Sequence, residues 1–154
     1  MPAQLRTAVP ADHEPILALM TSVIRASQAA EHQADTIGNV TANLAVWRAD
    51  PQRCVHLVAE RDGRIVGVVL VKAFWNLCSL FVATEQQGRG IGTALVQAAM
   101  AACRAQGQEP ELCLNAAPNA VGFYAALGFE PRASTQRLPP GFQAMRYRLA
   151  AGGG

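Results

Sequence analysis

The segment at residues 85–93, EQQGRGIGT, constrains the fold most, because glycine stands at every second position from Gly88 to Gly92. The residues before it predict a strand (SLFVAT), and the alanine-rich residues after it predict a helix (TALVQAAMAACRAQ). Glycines between a strand and a helix permit positive φ and let the backbone approach a ligand. Because the first helical turn has unpaired N–H groups and the positive end of the dipole, the segment predicts an anion site. A tight turn that needs glycine only for packing is the alternative.

Two failed patterns narrow the type of anion. A P-loop requires Gly-Lys-Ser/Thr, but Gly92 is followed directly by Thr93. The dinucleotide fingerprint GxGxxG fails as well, because Thr93 or Leu95 stands where its third glycine belongs. These departures disfavour a nucleoside triphosphate and a dinucleotide as the ligand. The pattern that remains is QxxGxG, formed by Gln87, Gly90 and Gly92.

The rest of the chain predicts alternating strands and helices, and therefore a mixed α/β fold. Before the glycine segment we expect a strand at residues 4–9, a helix capped by Asp12, a helix over about residues 35–48 and a hairpin turning at Asp62-Gly63. After it we expect the helix to end at Gly107, a strand at ELCLNA, a short helix at NAVGFYAAL capped by Gly128, and a closing pair of strands at ASTQRL and FQAMRYRL.

Composition limits the class of protein and partner. A chain of 154 residues with 51% hydrophobic and 16% charged residues predicts one globular domain over residues 1–154, with residues 152–154 as a frayed end. The formal net charge is +2 and no Lys/Arg run forms a basic stripe, so we expect a small-molecule partner and no nucleic acid. No apolar stretch is long enough for a membrane span and no signal pattern begins the chain, so we expect a cytoplasmic protein with no membrane partner.

The cysteines and histidines give no sign of metal chemistry. Cys54, Cys78, Cys103 and Cys113 lack metal-ligand spacing, and three of them lie in apolar segments where a thiol packs as a small hydrophobe. We therefore expect core thiols and no bound metal. His56 lies in an apolar strand, where a structural or solvent-facing role is expected.

Two motifs together resemble a known family. The QxxGxG pattern, followed further along by NAVGFYAALGFEP at residues 119–131, is similar to the GCN5-related N-acetyltransferase (GNAT) family. The resemblance covers essentially the whole chain and implies a mixed sheet whose fourth and fifth strands splay apart to admit acetyl-CoA. It implies that Phe81 and Val82 pair with the pantetheine arm through their main chain. It further implies that the pyrophosphate meets Gln87, Gly88, Arg89, Gly90, Ile91, Gly92 and Thr93.

The second motif carries the residues implied near the thioester. Phe123 and Leu127, four positions apart, are expected to form a buried pair, so that Tyr124 turns elsewhere. In the family, a tyrosine at this position protonates the departing CoA thiolate; a packing tyrosine is the alternative. Family members often have asparagine where this chain has Ala117, which leaves open whether Asn115 or Asn119 contacts the cofactor.

The acceptor side gives fewer signals. The family often provides a glutamate or an ordered water to deprotonate the amine, but no carboxylate lies between Asp62 and Glu85. Asn76 and Ser79 are candidates for positioning a water, and Cys78 for a pocket wall. The resemblance implies acetyl transfer from acetyl-CoA to a primary amine of a small molecule or peptide. The alternative is a catalytically silent acyl-CoA-binding regulatory module, and a homodimer is open because dimers are common in the family.

Overall fold

The computed structural model describes residues 3–149, so the tail predicted at residues 152–154 lies outside the described residues. These residues form a mixed α/β fold with a seven-stranded sheet and four α-helices, as predicted. In chain order the elements are β1 (Gln4–Thr7), α1 (His13–Ser27), α2 (Ala30–Ala49), β2 (Cys54–Arg61), β3 (Arg64–Lys72), β4 (Asn76–Val82), α3 (Ile91–Gln106), β5 (Glu111–Ala116), α4 (Val121–Ala126), β6 (Glu130–Pro131) and β7 (Gln143–Arg148).

The sheet has the strand order β1-β2-β3-β4-β5-β7-β6 and is antiparallel except between β4 and β5. In the described residues, these two parallel strands share a single pairing, between Asn76 and Cys113. Because β4 continues to Val82 and β5 to Ala116, the strands separate towards their carboxyl ends. The splayed central strands predicted from the family resemblance are therefore present. We call the gap between β4 and β5 beyond Asn76 and Cys113 the fork.

Helices cover both faces of the sheet. A Cβ built on Gly67 of β3 would lie 3.0 Å from the side chains of Ile91 and Leu95, which places α3 on that face. On the opposite face, the Lys72 ammonium group donates to Asn43 of α2 over 2.8 Å. The fully buried core comes from both layers and includes Ile16, Met20 and Ile24 of α1, Leu44 of α2, Val58, Val68, Val69, Leu70 and Val71 of the sheet, and Leu95 of α3.

The predicted hairpin turn is present between β2 and β3. Asp62 and Gly63 both have positive φ, +54° and +75°, as a type I′ turn requires. The turn between β3 and β4 has the same signature, although its residues are Ala73 and Phe74, at +54° and +64°. Neither residue type favours the left-handed region, so the sequence carries no signal for this second turn.

Two helix starts differ from the prediction. Asp12 precedes α1 but does not cap it: its carboxylate accepts from the Val9 backbone N–H and from the Arg6 guanidinium. The second helix begins at Ala30, earlier than predicted. The prediction missed its first turns because they are exposed and have no apolar periodicity. A polar contact from Thr36 to the Gln28 side chain, over 2.7 Å, ties this start to the end of α1.

The prediction of a strand at ASTQRL is wrong. The partner of β7 is the two-residue strand β6, which directly follows the buried Phe129. Because Phe129 is fixed in the core, residues 130–132 are the ones held beside β7, and the Arg132 N–H donates to the Ala144 carbonyl over 2.9 Å. The predicted strand at FQAMRYRL is confirmed as Gln143–Arg148.

Candidate active site

The glycine segment joins the end of β4 to the start of α3. Gly88 and Gly90 have φ of +79° and +83°, and a Cβ built on either would meet nothing within 4 Å. Both positions therefore require glycine for backbone conformation, and the space in front of them is open. Gly92 differs, because it lies in the first turn of α3, where a Cβ would lie 3.6 Å from the Phe123 ring.

The start of α3 is uncapped. Gly90 occupies the cap position and no side chain accepts from the first turn, while the first recorded helical bond runs from the Ala94 N–H to the Gly90 carbonyl. The N–H groups of Ile91, Gly92 and Thr93 are thus available at the positive end of a sixteen-residue helix. An anion is the ligand that such a helix start favours.

The side chains of the segment have different environments. Ile91 is buried and can offer only its backbone, while Gly92 and Thr93 are half-buried. Arg89 is exposed and forms no ion pair with a carboxylate of the described residues. Gln87 is also exposed, and its amide donates to the Val82 carbonyl over 3.1 Å, which fastens the segment to the end of β4.

The end of β4 and the start of α3 meet the short helix α4. Phe81 and Val82 are half-buried, and a Cβ on Gly92 would lie 3.7 Å from the Val82 side chain as well as close to Phe123. Val82 and the start of α3 therefore lie together with α4 on the α3 side of the sheet, whereas Phe81, the partner of Val68, points its side chain to the α2 side.

The expected burial of α4 is reversed. Tyr124 is the buried residue, at 7% exposure, while Phe123 and Leu127 are only half-buried. The reason is tertiary, since Tyr124 packs between the rings of Phe123 and Phe129, whose centroids lie 5.0 and 5.5 Å from its own. Gly128 then ends the helix with φ of +101°, as predicted.

The Tyr124 hydroxyl has no hydrogen-bond partner among residues 3–149. The hydroxyl oxygen is also not fully enclosed, unlike the buried polar atoms of His56 and Ser79 that lack a partner. The ring is therefore buried while the hydroxyl reaches accessible space. Burial raises the pKa of Tyr124 to about 12, so the phenol keeps its proton at neutral pH. A tyrosine in this state is able to donate a proton.

The two candidate asparagines lie in different places. Asn76 pairs with Lys72, which faces the α2 side of the sheet. Cys113 pairs with Asn76 and therefore faces the same side, as does Asn115 two residues further along β5. Asn119 is exposed in the 3₁₀ turn Pro118–Ala120, which leads directly into α4. Asn115 thus lies across the sheet from α4 and Asn119 beside it.

Cys78 and Ser79 lie on β4 beside the fork. Cys78 is the extra residue of a bulge, and its thiol donates to the Leu70 carbonyl over 3.6 Å. Burial raises the pKa of Cys78 to about 11, so it is an unreactive thiol. Ser79 is buried, and its Oγ has no hydrogen-bond partner in the described part of the chain.

The carboxylates on the α2 side of the sheet near the fork are held in ion pairs. Arg146 lies 3.1 Å from both Glu111 and Glu130.

No three His, Cys, Asp or Glu side chains of the described residues are grouped closely enough to hold a metal ion. None of the helices in residues 3–149 combines the length and the apolar character needed to span a membrane.

Comparisons with known proteins agree with this geometry. A model of the acetyltransferase (GNAT) domain matches residues 25–151. A mycothiol acetyltransferase of Nocardia farcinica is 37% identical over 83 residues, which are 51% of this chain and 27% of that protein. The chain therefore spans about a quarter of that relative's length.

Solved structures show the same fold. A GCN5-related N-acetyltransferase from Rhodopseudomonas palustris superposes with a TM-score of 0.77 at 23% identity and covers 96% of each chain. The PaiA N-acetyltransferase of Thermoplasma acidophilum, solved in complex with coenzyme A, gives a TM-score of 0.75 at 18% identity over 96% of this chain and 99% of that one.

Proposed function

The chain belongs to the GNAT acetyltransferase family, and on that premise we propose that it transfers the acetyl group of acetyl-CoA to a primary amine of a small molecule or peptide. The observation that carries this proposal is the position of the fork. It opens at the carboxyl ends of β4 and β5, where the uncapped start of α3 also lies. One extended ligand with an anionic end is able to use both features.

The glycine segment is proposed to hold the pyrophosphate. Gln87, Gly88, Arg89, Gly90, Ile91, Gly92 and Thr93 would supply backbone N–H groups and, at Arg89, a positive charge. Phe81 and Val82 would pair with the pantetheine arm, because β4 has no strand partner on its β5 side beyond Asn76 in the described residues. Of the two asparagines, we propose that Asn119 contacts the cofactor and that Asn115 faces the acceptor.

Tyr124 is proposed as the general acid. The neutral amine attacks the thioester carbon, the C–S bond breaks, and the sulfur of the leaving CoA takes a proton from the Tyr124 hydroxyl. The nitrogen releases its own proton to water, and the phenol is reprotonated from solvent. The raised pKa of Tyr124 keeps this proton in place before each turnover.

Two further features of the protein are proposals. Residues 1–154 are proposed to constitute one acetyltransferase domain, since the seven strands between Gln4 and Arg148 share one sheet. The cytoplasmic location stays a prediction, and the four free cysteines fit a reducing compartment.

A catalytically silent acyl-CoA-binding module is the second candidate. It is favoured by the ion pairs of Glu111 and Glu130, which leave neither carboxylate free to act as a base. A thiol-release assay with acetyl-CoA and a panel of amines, amino acids, peptides and aminoglycosides separates the two functions. Release that depends on an amine supports the transferase, whereas cofactor binding without release from any acceptor supports the silent module.

A further inference from the structure

Arg132 lies beside β7, in a row of residues on the α2 side of the sheet. Its backbone N–H donates to the Ala144 carbonyl, and Ala144 in turn pairs with Asn115 of β5. Asn115, Ala144 and Arg132 therefore form one row across three neighbouring chain segments. Asn115 faces the α2 side, and Ala144 between the two polar residues has only a methyl group.

The guanidinium of Arg132 is half-buried, with its Nε atom fully enclosed, and it lacks an acidic partner in the described residues. Its Nε atom is buried without a hydrogen-bond partner in the described residues, and its recorded side-chain bond is a long one, 3.4 Å, to the carbonyl of the adjacent Ala133. An enclosed N–H that bonds to nothing is costly, and the cost is larger for a charged group. Such a group is normally found paired with an anion.

Other arginines of the chain have the partner that Arg132 lacks. Arg146, two residues after Ala144 on β7, lies between Glu111 and Glu130, and Arg6 is bound by Asp12 and Glu60. Because Glu111 and Glu130 are already held by Arg146 and no carboxylate of the described residues pairs with Arg132, its positive charge is left for an anion from outside the described chain.

The position of Arg132 connects it to the fork. Asn115, in the same row as Arg132, lies two residues after Cys113 on β5, and the charge of Arg132 opposes the burial that raises the pKa of Cys113. Cys113 forms the pairing with Asn76 at which β4 and β5 begin to separate. The charge therefore lies next to the proposed site of acetyl transfer, on the side of the sheet away from α3. Asn115, which is exposed and has no recorded hydrogen bond among residues 3–149, adds a free amide there.

From this arrangement we propose that Arg132 and Asn115 bind a carboxylate carried by the acceptor, so that the acceptors are amino acids or similar small amines with a carboxylate near the reacting nitrogen. The proposal rests on the proposed acetyltransferase function. A planar carboxylate suits one guanidinium and one amide, which together present donors to two oxygens. A phosphate dianion would require more positive charge than the single unpaired guanidinium supplies.

Matched acceptors test this selectivity. The protein is assayed for thiol release with phenylalanine, phenylalaninamide, phenethylamine and phosphoethanolamine. A second set consists of lysine, its amide and its decarboxylated amine. We expect kcat/KM for the amino acid to exceed that for its amide and its decarboxylated amine by about 10- to 100-fold. Arg132→Met should remove this preference through a higher KM for the amino acid, and kcat/KM for phenethylamine should fall far less than kcat/KM for phenylalanine. Arg148→Met, on the neighbouring strand β7 and exposed, serves as the control and should keep the preference.

Product binding gives a test that does not need turnover. CoA-loaded protein is titrated calorimetrically with N-acetylphenylalanine and with its amide. Tighter binding of the free acid that Arg132→Met abolishes supports the proposal, even in a protein that releases no thiol. If thiol release occurs but the matched acceptors are used equally, or if phosphoethanolamine is preferred, the carboxylate site is refuted while the transferase stands. Equal binding of N-acetylphenylalanine and its amide refutes the carboxylate site as well. Thiol release that does not depend on any added acceptor amine refutes the proposed function instead.

Discussion

The ring of Phe129 packs edge-on against the ring of Tyr124, with centroids 5.5 Å apart and planes at 72°. Phe123 contacts the same ring from another side at 76°. Edge-to-face contacts of this kind hold the ring through its carbon framework. The orientation of Tyr124 therefore does not depend on its hydroxyl, and the hydroxyl can be removed without repacking the core.

Tyr124→Phe is expected to lower kcat by about 10- to 100-fold, the low end of the range for general acid catalysis, because a CoA thiolate is already a fair leaving group. Acetyl-CoA affinity should change little, because the phosphate contacts are assigned to the glycine segment. Steady-state kinetics and cofactor-dependent thermal shifts measure the two effects.

Tyr147→Phe is the matched control for this substitution. Tyr147 belongs to the same aromatic group through Phe129, but its hydroxyl accepts from Arg104 over 2.8 Å. Turnover should stay close to that of the parent. If Tyr124→Phe also keeps turnover within about twofold while folded, Tyr124 is a packing residue and its role as an acid is wrong.

Gly90→Asp should abolish the thermal stabilisation by acetyl-CoA, because a carboxylate would stand at the proposed phosphate position. Gly90→Asn is the matched control, since it has nearly the same shape without the charge. Asn and Asp tolerate positive φ better than most side chains do, and a Cβ here meets nothing, but a φ of +83° still strains either residue relative to glycine. The melting temperature without ligand should thus fall by a similar amount in both. A full ligand-induced shift in Gly90→Asp would remove the glycine segment from the binding site.

The pH dependence of kcat/KM should follow the acceptor and not the enzyme, because Glu111 and Glu130 are held by Arg146 and leave no free carboxylate there. The ascending limb should move upward by about 2 to 3 pH units between an α-amino acceptor and an alkyl amine. Burial keeps Tyr124 protonated throughout this range, so it adds no limb below about pH 11. A limb that stays fixed for acceptors of different basicity would reveal an enzymatic base.

His56 should make the protein less stable in mild acid. Its ring packs edge-on against Trp47 at 4.3 Å, and burial lowers its pKa to about 4, opposed by the charge of Asp12. Because the folded pKa lies below the unfolded value of about 6.5, the unfolded state binds the proton more readily, and stability is lost as pH falls from 6.5 towards 4.

The complete effect of this titration is about 3 kcal/mol, with a slope of at most about 1.4 kcal/mol per pH unit. His56→Phe should flatten the pH dependence of the free energy of unfolding, measured by urea denaturation between pH 7 and 5. This window lies above the pKa of Asp12, which the Arg6 guanidinium holds below its usual value. An unchanged slope in the variant would show that His56 does not titrate in this way.

Two glycines give opposite stability predictions. A Cβ on Gly107, at the end of α3, would lie 2.6 Å from the Cβ of Phe74, so Gly107→Ala should destabilise the protein by about 1 to 3 kcal/mol. Gly38 lies inside α2 with nothing within 4 Å, so Gly38→Ala should stabilise it by about 1 kcal/mol through helix propensity. Chemical denaturation measures both; a stabilising Gly107→Ala would contradict the packing at Phe74, and a destabilising Gly38→Ala would contradict the open surroundings of Gly38.

Features encoded by neighbouring residues could be predicted from the sequence. The turn at Asp62-Gly63 and the uncapped helix start after Gly90 depend on φ preferences of the residues at those positions. The pairing of residues 130–132 with β7 depends instead on the burial of Phe129, a tertiary contact with no local signal. The same limit applies to Arg132, because its place in a row with Asn115 becomes visible only once Ala144 is known to lie between them.

The fork has a consequence for which molecules can enter the sheet. A β-strand inserted between two others needs about 4.8 Å on each side along its whole length, but β4 and β5 are still paired at Asn76 and Cys113 and diverge only beyond them. The opening is a wedge that is closed at Asn76 and Cys113 and open at the carboxyl ends of the two strands. The unpaired backbone edge of β4 therefore lies inside the sheet and not at its rim, where it would invite pairing with another chain.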